Sequence, residues 1–110
     1  MDVHRVQEYV NGWFVGDFSP SVLHTTEFEL AMKSYKAGDS EPTHVHRIAT
    51  EITLVVSGRV SMNATEYSKG EFAIVSPGQA VAFTALEDST TVVLKTPSAP
   101  DDKYLANEPH

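Results

Sequence analysis

The stretch GDSEPTHVHRIATEITLVVSG, residues 38–58, decides how the chain reads. It sets His44 and His46 two positions apart and follows them with Glu51. Along a strand, residues i and i+2 share a face. Two such residues are separated by about 6.5–7 Å of backbone. Their imidazoles can therefore lean together until each has a nitrogen about 2.0–2.1 Å from one ion. Glu51 comes after the short loop RIAT, at the start of the next apolar run, and can approach the same point from the side. Two neutral imidazoles and one carboxylate form a facial-triad donor set, which leaves positions open for substrate or oxygen. The plainer alternative is a pair of histidines that hydrogen-bond Glu51 and hold no ion.

Outward from this stretch the chain is almost all strand and turn. Short apolar or alternating runs occupy 28–38, 51–58, 59–63, 72–78, 80–86 and 90–97, and Gly, Asn, Asp or Pro separates most of them. Gly58-Arg59 and Asn63-Ala64 read as tight hairpin turns. Runs this short at this spacing predict a sandwich or small barrel rather than βαβ units. At the N-terminus, VQEYVNGWFVG reads as one helical turn before an extended WFVGDF, with Trp13 as a packing anchor. The tail from Ser98, SAPDDKYLANEPH, is acidic and proline-containing and is expected on the surface or disordered.

At 110 residues the chain is expected to form one domain, with a barrel core at about 28–97, an extension at 1–27 and a polar tail at 98–110. It has no cysteine, which excludes disulfides and thiolate zinc sites and suits a cytoplasmic protein. No segment reads as a signal peptide or a membrane span. The formal net charge is −7, and the few Lys and Arg are scattered. A phosphate backbone is bound through clustered cations, and an anionic bilayer repels an acidic surface. Neither nucleic acid nor membrane is an expected partner.

Gly38, five residues, His44-Val45-His46, four residues, Glu51, six residues and Gly58 match the first motif of the cupin superfamily at every fixed position. Over roughly residues 28–97 the chain resembles a small single-domain cupin. The resemblance implies an all-β antiparallel jelly roll, a double-stranded β-helix, with His44, His46 and Glu51 as ligands of one divalent metal inside the barrel. The second cupin motif is only partly present. Gly70 and Gly78 fall on its glycine positions and the proline is shifted by one, to Pro77. Its histidine position falls on Val81, and its asparagine position on Ala85. Val81, Phe83 and Ala85 share a strand face, so an apolar wall is expected where a fourth ligand would stand. Three ligands remain, and the metal (Zn, Fe, Mn or Ni) is expected to be held weakly or not at all.

The other residues have simpler readings. Gly38, Gly58, Gly70 and Gly78 are turn glycines that permit positive φ. Lys33 and Tyr35 share one strand face and Met32 and Ser34 the other; one pair could line the barrel mouth, although core or surface roles suffice. His4, His24 and His110 read as exposed. The function expected first is a binding barrel for a small polar ligand, such as a sugar or organic acid, with a carbohydrate link suggested by analogy. The alternative is a metal-dependent dioxygenase or isomerase, for which the Val81–Phe83 face offers no titratable base. Ile52, Leu54 and Val56 alternate with Thr53 and Val55, so this strand is apolar on both faces. It needs cover from the N-terminal WFVGDF or from a second subunit, and a homodimer is expected.

Overall fold

The structure is a computed structural model that describes residues 1–106. Two 3-10 turns, Val6–Glu8 and Val10–Gly12, precede the first strand. The strands are β1 (Trp13–Gly16), β2 (Leu23–His24), β3 (Glu29–Tyr35), β4 (Ser40–Val45), β5 (Thr50–Ser57) and β6 (Arg59–Met62). They continue with β7 (Thr65–Ser68), β8 (Phe72–Val75), β9 (Ala80–Ala85), β10 (Ser89–Thr96) and β11 (Tyr104–Leu105). One sheet runs β2-β1-β3-β10-β5-β8 and the other β11-β4-β9-β6-β7. Apart from the parallel pair β1–β2, all pairings are antiparallel. This is the jelly roll that the sequence implies.

Alternation decides which side chains face inward. Glu51, Thr53 and Val55 of β5 are buried between the sheets, and so are Val81, Phe83 and Ala85 of β9. Val55, Val60, Met62, Ala73, Val75, Val81, Phe83 and Ala85 make one apolar cluster, with Tyr35 and Tyr67 packed against it. Outside the barrel, β5 pairs Ile52 with Leu94 and Ile74, and Leu54 with Val92 and Phe72. Leu30 and Met32 extend the same two rows on β3. The outer face of the six-stranded sheet is therefore apolar. WFVGDF does not cover it, because β1 joins that sheet beside β3.

Two sequence expectations change. Asn63-Ala64 is a two-residue hairpin turn with both residues at positive φ, 50° and 65°, joining β6 to β7. Gly58-Arg59 is not a hairpin turn: β5 lies in one sheet and β6 in the other, so this corner carries the chain between them. Turn chemistry cannot tell a hairpin from a corner, because both need a residue at positive φ. The tail is also more ordered than expected. Asp102 is buried, and β11 adds to the edge of β4 through Tyr104↔Val45 and Leu105↔His44. His110 lies outside the described residues, while His4 and His24 are exposed as expected.

Gly58 has φ +83°, and a Cβ there would lie 2.3 Å from Ser89 Oγ and 2.4 Å from the Asp88 carbonyl oxygen. At Gly38, Gly70 and Gly78 a Cβ would meet nothing, so only backbone strain opposes a side chain. Gly58→Ala should cost about 3 kcal/mol or more in urea unfolding, against about 1 kcal/mol for Gly70→Ala. Equal losses at the two positions would show that the corner is not tightly packed.

Candidate metal centre and its cavity

The three candidate ligands come from both sheets. His44 lies near the end of β4, His46 is the first residue beyond that strand, and Glu51 is the second residue of β5. All three are buried. Their rings and carboxylate converge: one ligand atom from each lies within 4.8 Å of the other two. Ligands at about 2.0–2.2 Å from a shared ion lie within roughly 4.4 Å of one another, so small torsional shifts complete the fit. The donor set suits zinc, iron, manganese or nickel.

Backbone carbonyls fix both imidazoles. His44 Nδ1 donates to the Pro42 carbonyl oxygen at 3.2 Å, and His46 Nδ1 donates to that of Asp102. With an ion bound, Nδ1 would keep the ring proton and Nε2 would face the ion. Without one, His46 Nε2 takes Glu51 Oε2 as its partner at 2.7 Å, and Thr53 Oγ1 donates to Glu51 Oε1 at 3.0 Å. Burial pushes the His44 imidazole below its usual range, which keeps it neutral and able to coordinate. Burial alone would raise the Glu51 carboxyl. Its bonds to His46 and Thr53, with Lys95 nearby, hold it below the usual range.

The tail supplies the support that sequence reading missed. Asp102 Oδ1 accepts the Arg47 N–H, and Oδ2 accepts those of Ile48 and Ala49, each at 2.9 Å. Burial would raise this carboxyl, but the three donors outweigh it and hold the group below its usual range. The loop between His46 and Glu51 is thus clamped by the residue whose carbonyl orients His46. Arg47 also lays its guanidinium 3.7 Å from the centre of the Tyr104 ring.

The triad opens into a cavity of about 390 Å³. One wall is apolar, as expected: Val81 and Phe83, with Met62 beside them. Val81 sits directly across from His44 in the β4–β9 pairing, which is where a fourth ligand from β9 would enter. The other wall is polar: Glu29, Lys33 and Tyr35 of β3 and Thr91 and Lys95 of β10 line it, and Glu41 of β4 adds a carboxylate beside Phe83. Of the two β3 pairs that could line the barrel, Lys33 and Tyr35 are the ones that do, and the β10 residues were not anticipated. Lys33 and Tyr35 are therefore cavity residues rather than simple core or surface ones. Tyr35 donates to Glu41 Oε1 at 2.8 Å and packs on Phe83 with ring centroids 4.7 Å apart. Burial and the neighbouring Glu41 push the Tyr35 phenol well above its usual range. The acid–base groups that Val81 and Phe83 lack are supplied by β3 and β10 opposite and by Glu41 on the neighbouring strand β4. Trp13 also lines the cavity, so its role extends beyond anchoring the N-terminal segment.

No protein-family model and no curated protein matches the chain. Solved structures do. A conserved protein with a double-stranded β-helix domain from Klebsiella pneumoniae has TM-score 0.71 and 24% identity, over 96% of this chain and 92% of that one. KdgF from Halomonas has TM-score 0.65 and 25% identity, over 73% and 77%. An RmlC-like cupin from Shewanella frigidimarina has TM-score 0.65 and 17% identity, over 70% and 72%. The chain has the cupin fold. Within this cupin, two histidines and a glutamate form a group that could hold a metal.

Asp102→Ala strands three N–H groups beside His46 and removes the clamp on its loop. It should lower stability by about 3 kcal/mol in urea unfolding. Zinc affinity, measured by competition with a chromophoric chelator, should fall about 10–100-fold. Affinity unchanged in a folded variant would remove Asp102 from the support of the site.

Proposed function

We propose that this cupin binds one divalent metal through His44, His46 and Glu51 and takes a small polar molecule, a sugar derivative or an organic acid, into the adjoining cavity. The observation that carries this reading is the convergence of three buried donor groups, from two sheets, on the wall of a cavity of about 390 Å³. Such a volume falls in the range of small-molecule sites. A bound metal would supply Lewis acidity and open coordination positions to that molecule. The absence of cysteine fits a cytoplasmic setting.

A second reading, a metal-dependent enzyme, is favoured by Tyr35 and Glu41. The two are already joined by a hydrogen bond and share the cavity with the triad. Glu41 could accept a proton beside a bound substrate while the Tyr35 hydroxyl holds its carboxylate in place, as an isomerase requires of a positioned base. No comparable feature speaks for oxygen chemistry.

Protein purified without chelator or nickel resin should contain metal by elemental analysis. After chelation, adding metal at a hundredfold excess over Kd should stabilise the fold by about 2.7 kcal/mol. For a chain of this size that is a melting-temperature rise on the order of 10 °C. His44→Ala should abolish most of the rise. Val81→His places an imidazole across from His44. Without metal it should lower stability, because burying the polar ring costs about 1–3 kcal/mol. With zinc, manganese, nickel or iron(II) it should show a larger rise than wild type. A folded Val81→His that binds metal no better would show that position 81 is outside the ligand ring.

We also propose that the chain pairs with itself through the apolar outer face of the six-stranded sheet. Val56, Phe72 and Ile74 are 42%, 55% and 60% exposed there, on neighbouring positions of β5 and β8, and a contiguous exposed apolar patch marks an interaction surface. Light scattering at micromolar concentration should give twice the 12.1 kDa chain mass. Ile74→Glu should halve that value. A wild-type mass of one chain would count against pairing.

A further inference from the structure

The inner face of the six-stranded sheet is laid out in rows by its register. In one row Lys95 stands across from both Glu29 and Glu51. That row is closed: Lys95 Nζ lies 3.3 Å from Glu29 Oε1, and Glu29 Oε2 accepts the Ser98 hydroxyl. Two rows further along, Thr91 stands across from Lys33 and Val55. That row is open. Lys33 forms no ion pair among the described residues. Thr91 Oγ1 is fully buried with no hydrogen-bond partner within 3.5 Å, its polar neighbour being the Tyr35 phenol. Both line the cavity.

Each group is costly to leave in this state. A buried hydroxyl without a partner forfeits its hydrogen bonds to water. Burial pushes the Lys33 ammonium below its usual range, so its charge is poorly solvated there. The Trp13 ring, 5.2 Å from Lys33 Nζ, offers partial compensation through its electron-rich face. The same ring lies 4.9 Å from Lys95 Nζ. Three of the five lysines line this cavity, matched in number by Glu29, Glu41 and Glu51.

We propose that Lys33 and Thr91 form a carboxylate subsite, and that the molecule the cavity accepts is a small monocarboxylic acid. The ammonium would meet the carboxylate charge, the Thr91 hydroxyl would donate to one of its oxygens, and the Trp13 ring would wall the space. This rests on the cavity being the ligand site, as proposed above, and narrows its ligand. Lys33 and Lys103 are the cavity lysines without an ion pair among the described residues, and Lys33 is the one that stands across from Thr91. A phosphate dianion would also face Glu29, Glu41 and Glu51, which line the same space. Thr91 lies across from Val55, four residues from Glu51 along β5, or roughly 13 Å of strand. An acid held at Lys33 and Thr91 therefore occupies the part of the cavity beyond His44, His46 and Glu51 and does not depend on reaching them.

The test is an NMR titration of chelator-treated and zinc-loaded protein with lactate and 3-hydroxybutyrate, their neutral amides, and inorganic phosphate. The acids should bind at millimolar concentration and the amides at least tenfold more weakly. Lys33→Met should weaken the acids at least tenfold, Lys33→Arg should retain most of the affinity, and the isosteric Thr91→Val should weaken them severalfold. Equal binding of acids and amides, wild-type affinity in Lys33→Met, preference for phosphate, or no binding of either acid would overturn the subsite. Acid binding without zinc uptake would leave the subsite standing and remove the metal; zinc uptake without acid binding would do the reverse.

Discussion

Burying the Glu51 carboxylate is the constraint on which the rest of the site depends. A lone carboxylate inside a β-barrel is too poorly solvated to remain charged. Glu51 keeps its charge because His46, Thr53 and Lys95 surround it. Each of those partners needs support of its own. His46 takes its orientation from the Asp102 carbonyl, and Lys95 is held between Glu51 and Glu29. Glu29 in turn accepts from Ser98. One buried charge therefore recruits groups from β3, β5, β10, the loop after β4 and the tail. Hydrogen bonds in such a network reinforce one another, and losing any member leaves the others exposed to the same penalty.

The same logic explains which parts of the structure the sequence announced. Strands such as β5 and β9 carry their reading in plain alternation, and the two-residue spacing of His44 and His46 survives into a shared buried position with ring centroids 5.1 Å apart. The apolar face of Val81, Phe83 and Ala85 was also legible from alternation along β9, while its pairing with His44 came only from the fold. What could not be read were features that depend on pairing between distant strands. SAPDDKYL looks like a loop in composition, yet its Asp102 answers three N–H groups some fifty positions earlier. The polar wall has the same origin. Lys33 and Tyr35 alternate correctly with Met32 and Ser34, but alternation does not say which face looks inward. Only the β3–β10 pairing, with Lys33 across from Thr91, makes that choice. The Gly58 corner was misread because a hairpin and a crossing between sheets call for the same residue.

The two cavity walls divide the chemistry. The five-stranded sheet gives Val81, Phe83 and Met62, which exclude water and leave one side of the triad without a ligand. The six-stranded sheet gives most of the charged groups. Exclusion of water on one side strengthens every charge interaction on the other. Tyr35 crosses that division: from β3 of the six-stranded sheet its ring lies on Phe83 and its hydroxyl reaches Glu41, which are cross-strand neighbours on the five-stranded sheet.

Val81 gives this division its functional sense. A fourth imidazole there would complete a tighter cage for the ion, whereas valine leaves the triad with three donors and an apolar neighbour. A three-donor site exchanges binding strength for open coordination positions. Those positions adjoin a cavity whose polar groups are arranged along β3 and β10, away from the β9 wall. The absent ligand and the polar wall are thus two aspects of one arrangement: coordination is given up on β9, and the side chains that would orient a ligand at the freed positions come from the strands opposite.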